Sequence, residues 1–231
     1  MDDSQWERIA AGMGIVTVVL LLVATVMVPQ PPKVDDTAGK VVAYGLDNRS
    51  ALLVSNWLLA LSLFFGLIFL GALRSYLRRV EGGTGRLSAV AFGAGLQAGV
   101  IAVIGAAVAN ALFLHVVKGG TEDAVRALFD LAGALFALLW IPVAAWVGAT
   151  AVISMRTGAF PRWYGQAGIG MALYFLVVSY GAAVDSGPLG TGGVFQLIAF
   201  VLFGLWLLAT SLLLMRRLAP TQPIRETSAT G

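Results

Sequence analysis

TEDAVRALFDLAGALFALLWIPVAAW, residues 121–146, carries Arg126 and Asp130 four residues apart and then enters an apolar run in which the next charged residue is Arg156. About 20 apolar residues suffice to cross the hydrocarbon core of a bilayer. The stretch therefore opens a membrane-spanning helix, with two charges at its mouth and Pro142 inside it, where a missing N–H bends the helix or frees a carbonyl near mid-membrane. The rest of the chain has the same character. Of its 231 residues 58% are hydrophobic and 12% charged, with a mean hydropathy of +0.86, against roughly a quarter charged in soluble domains. The solvent for most of this surface is lipid.

Working outward from helix 4, five further segments meet the same length requirement. The reading is an all-α membrane protein, a single six-helix domain over residues 1–219. Its spans lie at about 9–28, 51–73, 88–117, 124–155, 164–184 and 194–215, and a polar, disordered tail occupies 220–231. The first span follows a mostly acidic head rather than the basic one of a secretory signal, so it is expected to stay as an uncleaved helix. After it, the proline cluster at 29–32 cannot continue a helix, and Asp35, Asp36 and Thr37 offer N-cap chemistry for a short amphipathic helix to about Leu46. Val41, Val42 and Tyr44 give that helix an apolar side to lay on the membrane or across the mouth of the bundle.

The turn EGGTGR (81–86) supplies glycines for a tight reversal into helix 3. In MRTGAFPRWYG (155–165), Gly158 suits the left-handed position that ends helix 4, and Pro161 suits the first turn of helix 5. Orientation follows from basic residues. Arg8, Arg74, Arg78, Arg79, Arg86, Arg156, Arg162, Arg216, Arg217 and Arg225 fall on the side of both termini, and Lys33, Lys40, Arg49, Lys118 and Arg126 on the other. The positive-inside rule puts both termini of this multi-pass protein in the cytoplasm.

Four motifs in this order, AGKVVAYGLDNRSALL (38–53), LRRVEGGTGRLSAVAFGAG (77–95), VRALFDLAGALFAL (125–138) and RTGAFPRWYGQAG (156–168), resemble a group of small actinobacterial integral membrane proteins classed under a domain of unknown function. The resemblance extends over nearly the whole chain. It implies a six-helix inner-membrane protein and carries no activity, so it assigns no catalytic residue.

Several chemistries are excluded directly. The chain has no cysteine, which removes disulfides, thiolate catalysis and zinc–thiolate sites, and its one histidine cannot ligate a haem from both sides. Neither an HExxH nor a Walker motif occurs. Lys33, Lys40 and Lys118 all lie in loops, so no lysine is placed for a retinal Schiff base. No cofactor, metal or nucleic-acid partner is expected; the expected partners are membrane lipids and a homo-oligomer or a partner membrane protein, because six helices make a narrow bundle.

Depth sorts the polar residues. At about 1.5 Å per residue, Asn56 lies about 27 Å from the level of Arg74, Asn110 and His115 about 36 and 44 Å from Arg86, and Asp130 about 39 Å from Arg156. Asn56 falls just short of the far boundary of a core about 30 Å thick and the others pass it, while Gln97 stands near mid-depth as the main exception. Two readings of this group remain open. Either these are boundary residues meeting water and headgroups, or Asn56, Asn110, His115, Arg126 and Asp130 converge on an outward-facing polar pocket. Asn110 speaks for the second, since it continues the small-residue row Ala98, Ala102, Ala106 and should point into the bundle. The functional expectation is a non-enzymatic accessory, sensor or assembly component, with a small transporter or lipid- or solute-binding protein as the alternative.

Overall fold

The computed structural model describes residues 3–33, 36–184 and 187–218. The expectations for Asp35 and for the tail at 220–231 lie outside them. The elements run in chain order as α1 (Asp3–Val26), α2 (Ala38–Asp47), α3 (Arg49–Glu81), α4 (Arg86–Ala111), a π-helical turn (Leu112–Val116), α5 (Val117–Gly119), α6 (Glu122–Leu138), α7 (Trp140–Thr157), α8 (Arg162–Ser179), a 3-10 turn (Tyr180–Ala183) and α9 (Val194–Arg217). There is no strand among the described residues. Six helical stretches are long and apolar enough to cross a membrane, namely Gln5–Val26, Arg49–Glu81, Arg86–Gly119, Glu122–Thr157, Arg162–Ala183 and Val194–Arg217. This is an all-helical protein with the build of a multi-pass membrane protein.

Three of the expected spans differ from the sequence reading. The second continues past 73 to Glu81, because Arg74, Arg78 and Arg79 sit on a helix that simply leaves the apolar zone. The fourth is broken as Pro142 requires: Val143 N still donates to Leu139 O (3.3 Å), but the proline has no N–H for Leu138 O, and the axis divides at Leu139 between α6 and α7. The third passes through the π-helical turn, which the sequence reading did not anticipate.

Both reversals at the arginine-rich end turn on the expected glycines, although Pro161 takes the N-cap position rather than the first turn of its helix. Gly82, Gly83 and Gly85 adopt φ of 67°, 52° and 62°. The Glu81 carboxylate accepts from Leu87 N (2.9 Å) and Ser88 N (2.8 Å), so the acid that ends α3 also caps α4. Gly158 sits at φ 70°, ψ 19° and closes α7 through its N–H to Ser154 O.

Neighbouring spans form a ring: α1 packs on α3 and α9, α4 on α3 and α7, and α8 on α7 and α9. The α7–α8 pair is drawn together by Gly165 and Gly168, where an added Cβ would meet Met155 Cγ at 2.5 Å and Ala151 Cβ at 2.8 Å. At Gly14 it would meet Phe69 at 2.8 Å and Ser211 at 2.9 Å, which sets the approach of α1 to α3 and α9. Buried hydroxyls pin the same end: Ser211 Oγ donates to Ala11 O (2.5 Å), Tyr76 Oη to Ala159 O (2.9 Å), and Tyr164 Oη is 2.7 Å from Thr210 Oγ1. In lipid each of those groups would otherwise go unsatisfied.

A row of aromatic rings fills the bundle from Trp140 through Phe203, Trp146 and Trp206 to Tyr164, Phe160 and Tyr76, with neighbouring centroids 4.9–6.4 Å apart. Outside, Trp6 and Trp163 at one end and Trp57 and Tyr180 at the other are more than half exposed. They are placed as interfacial belts. Trp163 and Tyr180 are about 26 Å apart along α8, close to one hydrocarbon core.

Candidate functional site

At the end away from the arginines, α2 lies across the bundle rather than apart from it. Val41 is fully buried with Leu52, Ala109, Leu112, Phe113, Val117, Val125 and Ala132 in a small apolar cluster of its own. Thr37 occupies the N-cap position by its backbone, but its side chain makes no cap bond. Asp36 does the local work: its carboxylate accepts from Lys33 N (2.9 Å) and Lys40 Nζ (2.5 Å). The Lys40 ammonium, together with the Lys33 N–H, holds this carboxyl below its ordinary range. Tyr44 Oη donates to Pro29 O (2.9 Å), and burial pushes its phenol up to about 12.

One longer hydrogen bond ties this lid to the spans, and a second, just beyond its C-terminal end, joins α3 to the π-helical turn. Arg126 Nη1 donates to the Asp36 carbonyl. Arg49 places Nε 3.2 Å from Phe113 O and Nη2 3.5 Å from Leu114 O, so its guanidinium satisfies carbonyls in the irregular π-helical turn. α6 starts at the same end with Thr121 Oγ1 accepting from Ala124 N (3.3 Å) and with Glu122 and Asp123 in its first turn.

The five residues singled out by depth fall into two pairs and one outlier. Asn56 Nδ2 donates to Asn110 Oδ1 at 2.9 Å, joining α3 to α4 through partly buried amides. Arg126 Nε is 3.0 Å from Asp130 Oδ2, with side chains 31% and 44% exposed. That much exposure makes the pair a weak one, about 0.3–0.5 kcal/mol. Asp130 Oδ1 is buried without a hydrogen-bond partner among the described residues. His115 lies in the π-helical turn and is exposed. No hydrogen bond among the described residues links one pair to the other.

The enclosed space is elsewhere, in the middle of the ring. A cavity of about 620 Å³ is bordered by Thr17 and Leu21 of α1, by α3 from Leu59 to Leu70, by α4 from Gly95 to Ile104, by Phe136 to Trp146 across the break in helix 4, and by Gln196 to Leu207 of α9. None of the five depth-selected residues lines it. Its origin is local: Gly66, Gly99, Ala98 and Ala102 leave little side-chain volume on the facing sides of α3 and α4, while Trp140, Trp146 and Phe203 form a stiff opposite wall. At Gly99 an added Cβ would meet nothing within 4 Å.

The polar groups in the wall are only partly paired: Gln196 Nε2 and Trp146 Nε1 are buried without a hydrogen-bond partner among the described residues. Thr17 Oγ1 donates to Met13 O (2.9 Å), and Gln196 Oε1 accepts from Trp140 Nε1 (2.6 Å). The rest of the wall is hydrocarbon and aromatic ring, with no acidic or basic residue among those lining it. No family model, curated protein or solved structure matches the chain. The cavity must be interpreted from its own geometry.

Two features of that geometry matter. The lining reaches from about 6 Å above the arginines, at Leu70, to about 30 Å at Gln196, with most of it in the half away from the arginines. Its lining residues Leu67, Val100 and Val103 are 53%, 58% and 47% exposed, so the space reaches the molecular surface sideways, at the seam of α3 and α4. The sequence did carry a signal for it. Trp140, Trp146 and Trp206 stand away from the interfaces where membrane tryptophans usually sit, and here they wall or back the cavity.

Proposed function

We propose that this protein holds the hydrocarbon chain of a membrane lipid, as a non-enzymatic lipid-binding component of the bacterial plasma membrane. The observation that carries this reading is the 620 Å³ cavity, apolar over most of its wall and open toward the side of the bundle. Apolar cavities exclude water, and an empty one forfeits the dispersion contacts of every atom around it. A chain entering sideways from the bilayer restores those contacts without crossing a polar barrier. Its volume lies within the range of about 300–1,000 Å³ typical of small-molecule sites.

The distribution of arginines supports a topology with both termini cytoplasmic, in which most of the cavity lining would fall in the outer half of the bilayer. The likeness to small actinobacterial membrane proteins agrees with that location. A through-going transport path has less support: Gln97, the polar residue at mid-depth, is exposed and does not border the cavity.

Native mass spectrometry from a gentle detergent tests the reading. Wild-type protein should carry a defined lipid adduct, and Gly99→Phe, which projects a ring into open space, should lose it while remaining folded. Equal adducts on both proteins would overturn the proposal. For topology, a cysteine replacing Lys118 should react with an impermeant reagent in intact cells; protection there, with labelling of a cysteine at Arg79, would reverse the orientation.

A further inference from the structure

Gln97 lies about 16 Å along α4 from Arg86, in the middle of an apolar zone about 30 Å thick. It is exposed on the outer face of the bundle and makes no hydrogen bond among the described residues. A carboxamide there faces lipid, which offers neither donor nor acceptor. Polar side chains at such depth pair with one another across helices.

The surroundings of Gln97 suit such an approach. Gly93, one turn away on the same face, is exposed, and an added Cβ would meet nothing within 4 Å. Val90, Val100 and Ile104 continue the stripe at 49%, 58% and 47% exposure, so nothing else among the described residues covers it.

We infer that a second copy of this chain covers this face, forming a two-fold dimer through α4 in which each Gln97 amide donates to and accepts from its counterpart. A carboxamide is self-complementary: it holds one acceptor oxygen and two donor hydrogens, so two related glutamines satisfy each other reciprocally. This distinguishes a second copy from a partner of other sequence, which would have to supply a matching amide at the same depth. Val100 and Ile104 both belong to the stripe and border the cavity, so the partner's α4 would flank the lateral mouth of each protomer. The dimer does not depend on lipid occupancy, and its test reads association alone.

The chain has no cysteine, so single cysteines report cleanly. In native membranes, Val90→Cys should form a covalent dimer with a short thiol-specific cross-linker, well above the level given by Leu173→Cys on the exposed face of α8. Adding Gln97→Leu should lower that yield several-fold, and Gln97→Asn should retain most of it. Native mass spectrometry of the cysteine-free protein from nanodiscs should show twice the monomer mass, falling to the monomer with Gln97→Leu. Cross-linking of Val90→Cys no better than Leu173→Cys, linkage only to another protein, or a dimer indifferent to Gln97→Leu would each overturn the inference.

Discussion

Gly95 and Gly99 are one turn apart on α4, both border the cavity, and should respond in opposite ways to the same substitution. A Cβ at Gly95 would meet the two terminal methyls of Leu70 at 2.8 and 2.9 Å and the Trp146 ring at 3.3 Å, whereas one at Gly99 would find nothing within 4 Å. Replacing either with alanine gains the same helix propensity, roughly 1 kcal/mol, and this cancels in the comparison. What remains is overpacking at Gly95, about 1–3 kcal/mol. Leu70 can yield by rotating its methyls, which pulls toward the low end; the buried Trp146 ring has less freedom, which pulls the other way. Gly95→Ala is therefore expected to be less stable than Gly99→Ala by about 1–3 kcal/mol, read by SDS titration of the protein in mixed micelles. Gly99→Leu should stay near wild type, because lipid tails are as apolar as leucine and burial there wins nothing from water. Equal stabilities for the two alanine variants, or the reverse order, would refute the claim that α4 is packed at Gly95 and open at Gly99.

Other contacts lead to distinct expectations. Asn56→Leu or Asn110→Leu alone should cost about 1–2 kcal/mol by orphaning the other amide, while the double change costs less than the sum; strict additivity in a double-mutant cycle would show that the amides are not coupled. Arg49→Leu should cost about 1.5–3 kcal/mol by releasing the Phe113 and Leu114 carbonyls, and should speed proteolysis within residues 36–48; an unchanged digestion rate would remove Arg49 as a tether. The Tyr44 phenol is raised to about 12 by burial, so the folded lid favours its neutral form. That stabilisation is complete below the unfolded value near 10 and lost as pH rises through about 12. The tyrosinate absorbance difference between wild type and Tyr44→Phe should titrate near the upper value, and a midpoint near 10 would show that Tyr44 is solvated.

The spans were legible because the alternation of charged loops with apolar runs reports a physical necessity, the cost of placing charge in hydrocarbon. The break in helix 4 was legible for a comparable reason, since a proline removes one identifiable hydrogen bond. The cavity was not, because it is made of absences. Ala98 and Ala102 read as a face for close helix contact, and they are buried, yet the same row also borders open space. Whether a small residue admits a neighbour or leaves a void depends on what stands opposite: Leu70 fills the place left by Gly95, and no side chain fills the place left by Gly99. His115 was obscured differently. The π-helical turn inserts a residue just after Asn110, and every side chain beyond it is rotated out of the row counted from Ala98. Both effects act at one end of the bundle. Near the arginines, buried hydroxyl bonds and stacked rings hold regular helices; toward the lid, the π-helical turn in helix 3 and the break at Leu139 in helix 4 interrupt regularity in adjacent spans. The cavity begins within the aromatic wall at Trp146 and extends toward those interruptions, with Leu139 itself in its lining. A ring of small residues facing rigid tryptophans leaves volume there that the chain's own side chains do not fill.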